Sequence, residues 1–359
     1  MKEFVILIFI VLGGITCRAQ EGYRVSGKIE GMPNGVLLLM SDEKGVADTL
    51  GVTTVAGSVF EFTGIVDGPI AAYITTSDGK YYIPLILENT SFMVNATQTG
   101  ALIKGGESQD IFGQFTRINV ELLKEQRRIQ DEYRQAQWDR NGTKMQALQK
   151  ELGTVLIKAR QLEKELLRKY ADTYVAAYVI AAGMEQADEE LLKEKYSLLT
   201  NSAKATVPGR AVAAYIEMAG KLIEGNVVPD FTVVSPMEDS LSLYPLRGKL
   251  KLIHFWAYDN YPSREANVDL VVLYQKYHLK GLEIVSISEG QDKQAWKKAL
   301  NVDGMTWKHG LDGRSAIARH YHVRQLPYTI LLDDENRIVA KGLLGKELQK
   351  RVGELLKKK

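Results

Sequence analysis

The stretch Lys251-Leu-Ile-His-Phe-Trp-Ala-Tyr-Asp-Asn-Tyr-Pro-Ser-Arg264 constrains the fold more than any other part of the chain. Leu252 to Trp256 is an apolar, aromatic run of the length and make-up of a buried strand. A polar turn follows. Pro262 then opens a segment in which Val268, Leu270, Val271, Leu273 and Tyr274 recur at helical spacing. Proline suits the first turn of a helix because its missing N–H would have no partner there.

The residues around this stretch keep the same order. A strand is expected over Leu282–Ser288, a helix over Asp292–Leu300 with Trp307 beyond it, and a further helix over Ser315–His320. Then come Val323-Arg-Gln-Leu-Pro327, a strand over Tyr328–Leu332, a turn at Asp334-Glu-Asn336, a strand from Arg337, and a helix carrying Leu348, Val352 and Leu355. Alternating βα units that end in a hairpin and a helix predict an α/β sheet over residues 225–359.

That order, the opening Pro229-Asp-Phe-Thr-Val and the Phe255-Trp-Ala257 run resemble TlpA-like and peroxiredoxin-like members of the thioredoxin-like proteins. In that family Phe-Trp-Ala precedes Trp-Cys-Gly-Pro-Cys-Arg. Laid over that pattern, Asn260 and Ser263 occupy the positions of the two redox cysteines, while Pro262 and Arg264 remain. The family's buried carboxylate before Phe-Trp-Ala is His254 here, and Tyr261 stands in place of the glycine. The resemblance further implies a cis peptide at Leu326-Pro327. A thioredoxin site works by stabilising a thiolate at a helix N-terminus. Asn260 cannot become a nucleophile, and Ser263 has no evident activating base. His254 reads best as a hydrogen-bonded core histidine. Trp256, Tyr258, Tyr261, Pro262 and Pro327 are the candidate binding residues around the degenerate turn, since aromatic side chains suit both recognition surfaces and cores.

Upstream, short alternating runs from Tyr23 to about Asn95, separated by Pro33-Asn-Gly35, Ala56-Gly57, Asp67-Gly68 and Asp78-Gly79, predict an all-β sandwich over residues 21–108. The segment Asp48-Thr-Leu…Gly57-Ser-Val-Phe-Glu-Phe62 resembles the β-domain that precedes the thioredoxin-like domain in exported Gram-negative bacterial proteins. Over residues 109–224 the period becomes helical. Phe115, Ile118, Leu122, Ile129 and Tyr133, then Met145, Leu148, Leu152, Leu156 and Leu166, predict a long helical hairpin turning at Asn141-Gly142. Shorter helices are expected over Ala171–Met184, Asp188–Leu199 and Arg210–Ile223. The charge runs read as solvated faces. The hairpin seam has the spacing of an antiparallel coiled coil and would allow homodimerisation.

The net charge of +2 gives no basic field for nucleic acid. The apolar run Phe4–Leu12 is too short to span a bilayer and fits the core of a signal peptide over residues 1–19. Two processing routes stay open. Cleavage after Cys17-Arg-Ala19 leaves Gln20 first and a periplasmic product, whereas Gly14-Ile-Thr-Cys17 resembles a lipobox, with Cys17 lipidated on an outer-membrane lipoprotein. Cys17 is the chain's one cysteine, so either route leaves no free thiol and no disulfide. No cofactor is called for, and no metal: His320 and His322, two apart on a helix, face different ways. Three readings follow. They are an envelope module that binds a protein or peptide without catalysis, a thiol:disulfide oxidoreductase or peroxidase supplied with sulfur by a partner, and a structural lipoprotein.

Overall fold

The computed structural model describes residues 22–43, 47–97 and 100–357. The expected signal peptide and Cys17 lie outside them. Contacts group the described residues into two compact units.

The first unit opens with eight strands: β1 Tyr23–Ile29, β2 Gly35–Ser41, β3 Asp48–Val55, β4 Val59–Gly64, β5 Ile70–Thr76, β6 Tyr82–Leu87, β7 Ser91–Thr97 and β8 Gly100–Lys104. They form two four-stranded sheets, in the orders β4-β1-β7-β8 and β3-β2-β5-β6. Pairing is antiparallel except between β1 and β7. Burial alternates along β1, β4 and β7, as a half-buried strand demands. Val25, Ile29 and Phe92 of one sheet share a core with Leu37, Leu39, Ile74 and Leu85 of the other. This is the expected β-sandwich. Strand β8 was not expected, because Gly100-Ala-Leu-Ile-Lys104 is an exposed edge with little apolar alternation.

Two long helices follow, α1 Glu107–Trp138 and α2 Gly142–Lys169. The Asn141 side chain caps α2 by accepting from the Lys144 N–H at 3.0 Å, which fixes the turn where Asn-Gly predicted it. Ile129, Ala136 and Leu148 form the seam. Shorter helices are α3 Tyr174–Gly183, α4 Glu189–Ser197, α5 Asn201–Lys204 and α6 Val207–Lys221.

Residues 180–198 and 209 onward group with the second unit. Its sheet adds β9 Thr232–Val234, β10 Ser240–Ser242, β11 Leu250–Ala257, β12 Leu282–Glu289, β13 Lys308–Asp312, β14 Tyr328–Asp333 and β15 Ile338–Lys341. The strand order is β10-β9-β13-β12-β11-β14-β15, with β11, β12 and β13 mutually parallel. The helices are α7 Tyr261–Tyr277, α8 Lys293–Asp303, α9 Ala316–His320 and α10 Gly345–Lys357. Every residue of β11 is buried. Leu252 and Trp256 face a core shared with Leu270 and Leu273 of α7, whereas Ile253 and Phe255 face the opposite one. This is an α/β thioredoxin-like sheet.

Candidate functional site

β11 runs directly into the turn that starts α7. Asn260 is the N-cap, and its side-chain oxygen accepts from the Ser263 N–H at 2.9 Å. The same oxygen accepts from the Ser263 hydroxyl at 2.8 Å. Ser263 Oγ in turn accepts from the Ala257 N–H at 3.3 Å, and Ser263 is fully buried. Asn260 and Ser263 therefore close the turn at the start of α7 by hydrogen bonds. Arg264 anchors the helix start. Its Nε and Nη2 reach the Asp303 carboxylate at 2.6 and 2.5 Å, Nη1 reaches the Tyr258 carbonyl at 3.2 Å, and Asn267 Nδ2 adds a 2.7 Å bond to Asp303. The bidentate geometry gives this pair a specificity that a surface ion pair lacks.

The candidate binding residues separate. Trp256 is fully buried in the core beside α7, which corrects its expected place on a recognition surface. Tyr258 is half-buried and braces the turn, because its hydroxyl accepts from the Asp292 N–H at 3.1 Å. Its ring lies where a Cβ on Gly290 would come within 2.4 Å, so glycine is required there, at a φ of +117°. Tyr261 and Pro262 are exposed, and the Tyr261 hydroxyl donates to Glu265 at 2.8 Å. The Leu326-Pro327 peptide is cis. Antiparallel pairing of Phe255 with Tyr328 sets Pro327 at the carboxyl end of β11, level with Trp256 and next to the turn.

Behind the turn, His254 lies in a polar row across the sheet, in register with Ser286 of β12 and Thr329 of β14, with Ser286 in register with His309 of β13. All four are buried. Trp307 Nε1 donates to Ser286 Oγ at 2.8 Å, and that hydroxyl lies 3.1 Å from His254 Nδ1. Burial, helped by His309, pushes His254 down to about 3, and burial pushes His309 down to about 4. Both are neutral at ordinary pH, and burial leaves His254 a weak base.

Sequence reasoning missed Ser286, Trp307, His309 and Asp303, which are distant in the chain and meet the site only through strand register and helix packing. Elsewhere in this unit, His322 stacks on Tyr215 at 3.8 Å, and His320 packs edge-on against Tyr321. Among the described residues no group of three or more His, Cys, Asp or Glu is arranged to hold a metal ion.

Residues 248–338 match the profile of the Thioredoxin-like family, and residues 23–112 match a family described as a domain of unknown function. The thiol-disulfide oxidoreductase ResA of Bacillus thuringiensis is 27% identical over 138 residues, which are 38% of this chain and 79% of that protein. The ResA of Bacillus subtilis is 27% identical over 123 residues, 34% of this chain and 69% of that protein. Among solved structures, the C-terminal domain of a putative thiol-disulfide oxidoreductase from Bacteroides thetaiotaomicron is 30% identical, with a TM-score of 0.37. The match covers 39% of this chain and 99% of that one.

Proposed function

We propose, from the premise that the C-terminal domain belongs to the thioredoxin-like family, that this domain keeps the redox scaffold and uses it for binding alone. One observation carries the reading. Both thiol positions are filled by Asn260 and Ser263, which are bonded to one another, and Ser263 is sealed from solvent. Disulfide exchange requires a thiolate that attacks and a second sulfur that resolves the mixed disulfide. The chain's one cysteine, Cys17, lies far upstream. What the turn presents to solvent is Asp259, Tyr261 and Pro262, with half-buried Asn260 behind them, beside Pro327. An exposed aromatic side chain and a proline at the end of the strand suit contact with a protein or peptide segment.

The N-terminal apolar run supports export to the cell envelope, to the periplasm or as a lipoprotein on Cys17, and no described helix is long and apolar enough to cross a membrane. The relatives' activity favours a second reading, an oxidoreductase that borrows sulfur from a partner. The two differ in one assay. The chain should reduce insulin disulfides, with dithiothreitol as electron donor, no faster than buffer does. Turnover near that of an ordinary thioredoxin would overturn the binding reading.

A further inference from the structure

Helix α7 is apolar on two opposite sides. Ser263, Asn267, Leu270, Leu273 and Tyr277 are its buried face. At about 100° per residue these five lie within about 60° of the direction of Leu270. Tyr261, Val268 and Val272 lie within about 20° of the opposite direction, and Leu279 follows on that side in the 3₁₀ turn His278–Lys280 that continues the helix. They are 73%, 62%, 52% and 96% exposed. The domain's own core needs only the first face. A second apolar stripe directed at water is what an interaction surface looks like.

We propose that a second copy of this chain covers the stripe, with the two α7 helices antiparallel. The spacing is palindromic about Leu270: Tyr261 and Leu279 lie nine positions to either side, and Val268 and Val272 lie two. A two-fold axis at Leu270 therefore sets Tyr261 against the partner's Leu279 and Val268 against the partner's Val272, so one patch completes itself. Charge follows the same symmetry. Glu265 and Asp269 in the first half of α7, and Lys276 and Lys280 beyond its middle, project to one flank of the stripe. An antiparallel copy brings its lysine end to the acidic end of the first, with Glu265 level with the partner's Gln275 and Lys276. Within the chain both lysines sit over the Tyr277 ring rather than on a carboxylate. The helix dipoles oppose as well. One helix per copy gives a contact below the ~1,200 Å² of a standard interface, so the dimer is weak and concentration-dependent. The seam is separate from the α1–α2 hairpin and takes up Tyr261, so a dimer and a bound peptide compete for that side chain; the inference does not rest on the loss of redox chemistry.

Sedimentation of the full chain should show the mass rising from 40.1 kDa towards twice that value between about 10 and 500 µM. Val272→Glu, at an exposed position, should keep it monomeric. Cross-linking tests the geometry. In a Cys17→Ser background, Tyr261→Cys with Leu279→Cys should form a disulfide-linked dimer under mild oxidant. The two positions are about 27 Å apart along one helix and cannot pair within a chain. Either substitution alone should stay monomeric, because the two-fold axis holds like positions apart. A chain that is monomeric at 500 µM, as it would be if another protein or a membrane covered the stripe, overturns the proposal. So does cross-linking by the single variants as readily as by the pair.

Discussion

The histidines behind the turn make stability depend on pH in a range where few other groups titrate. His254 and His309, held near 3 and 4 by burial, stay neutral in the folded chain, whereas in the unfolded chain each takes up a proton near 6.5. The folded state is therefore at no disadvantage above about pH 6.5. It loses stability as pH falls below that value, because only the unfolded chain gains protons. The loss continues down to the folded values near 3–4. At pH 5 it amounts to about 2 kcal/mol per buried histidine. Half-buried His322, lowered to about 4, adds in the same direction. Urea unfolding of the C-terminal unit at pH 7 and pH 5 should show this difference. His254→Gln, which cannot titrate, should remove about 2 kcal/mol of it. A pH dependence that His254→Gln leaves unchanged would mean that His254 is protonated in the folded state.

At the scale of elements, the strand–turn–helix of β11 and α7 holds the side chains of residues 260 and 263 against each other. Ser263 at the third helical position already donates two hydrogen bonds across the turn to the Asn260 side-chain oxygen at the N-cap, and positions three apart at a helix start suit the ~4.4–6.8 Å Cα separation of a disulfide. Asn260→Cys with Ser263→Cys should form an intrachain disulfide under mild oxidant, readable as a loss of two hydrogen atoms in mass and of titratable thiol. The thiol placed at the half-exposed position of Asn260 should titrate below about 8.5, because the helix N-terminus favours its anion. Two thiols persisting under oxidant would mean that the turn is not of thioredoxin type.

How far each element could be read from sequence follows from its surroundings. The hairpin α1–α2 was legible because its apolar residues repeat at helical spacing and Asn141-Gly142 interrupts them. Strand β13 was not, since Lys308-His-Gly-Leu-Asp312 carries neither an apolar run nor an alternation. It is a strand through tertiary pairing with β12 and β9, and Gly310 is there because a Cβ would come within 2.1 Å of Val233. The turn between β11 and α7 could be placed from sequence, because an apolar strand runs into Pro262 at the start of a helix. The buried places of Trp256 and the bracing role of Tyr258 could not, because aromatic residues serve cores and surfaces alike.

At the scale of the whole molecule, two separate cores imply two unfolding events. Leu37 is fully buried in the β-sandwich core and Leu252 in the core between the thioredoxin-like sheet and α7. Two-state behaviour is not expected of a chain divided in this way. The tryptophans allow the events to be told apart. Trp256, Trp296 and Trp307 are buried in the C-terminal unit, whereas Trp138 at the tip of the hairpin is 85% exposed and changes little on unfolding. Tryptophan fluorescence thus follows the C-terminal unit, while far-ultraviolet circular dichroism follows both units and is weighted towards the long helices. The two probes should give non-coincident denaturation curves. Each leucine-to-alanine change in a filled core costs about 2–5 kcal/mol. Leu252→Ala should therefore move the fluorescence midpoint to lower urea, and Leu37→Ala should leave it in place while shifting part of the dichroism curve. If both substitutions displaced both probes equally, the two units would unfold as one, and the division of the chain into separately stabilised parts would be wrong.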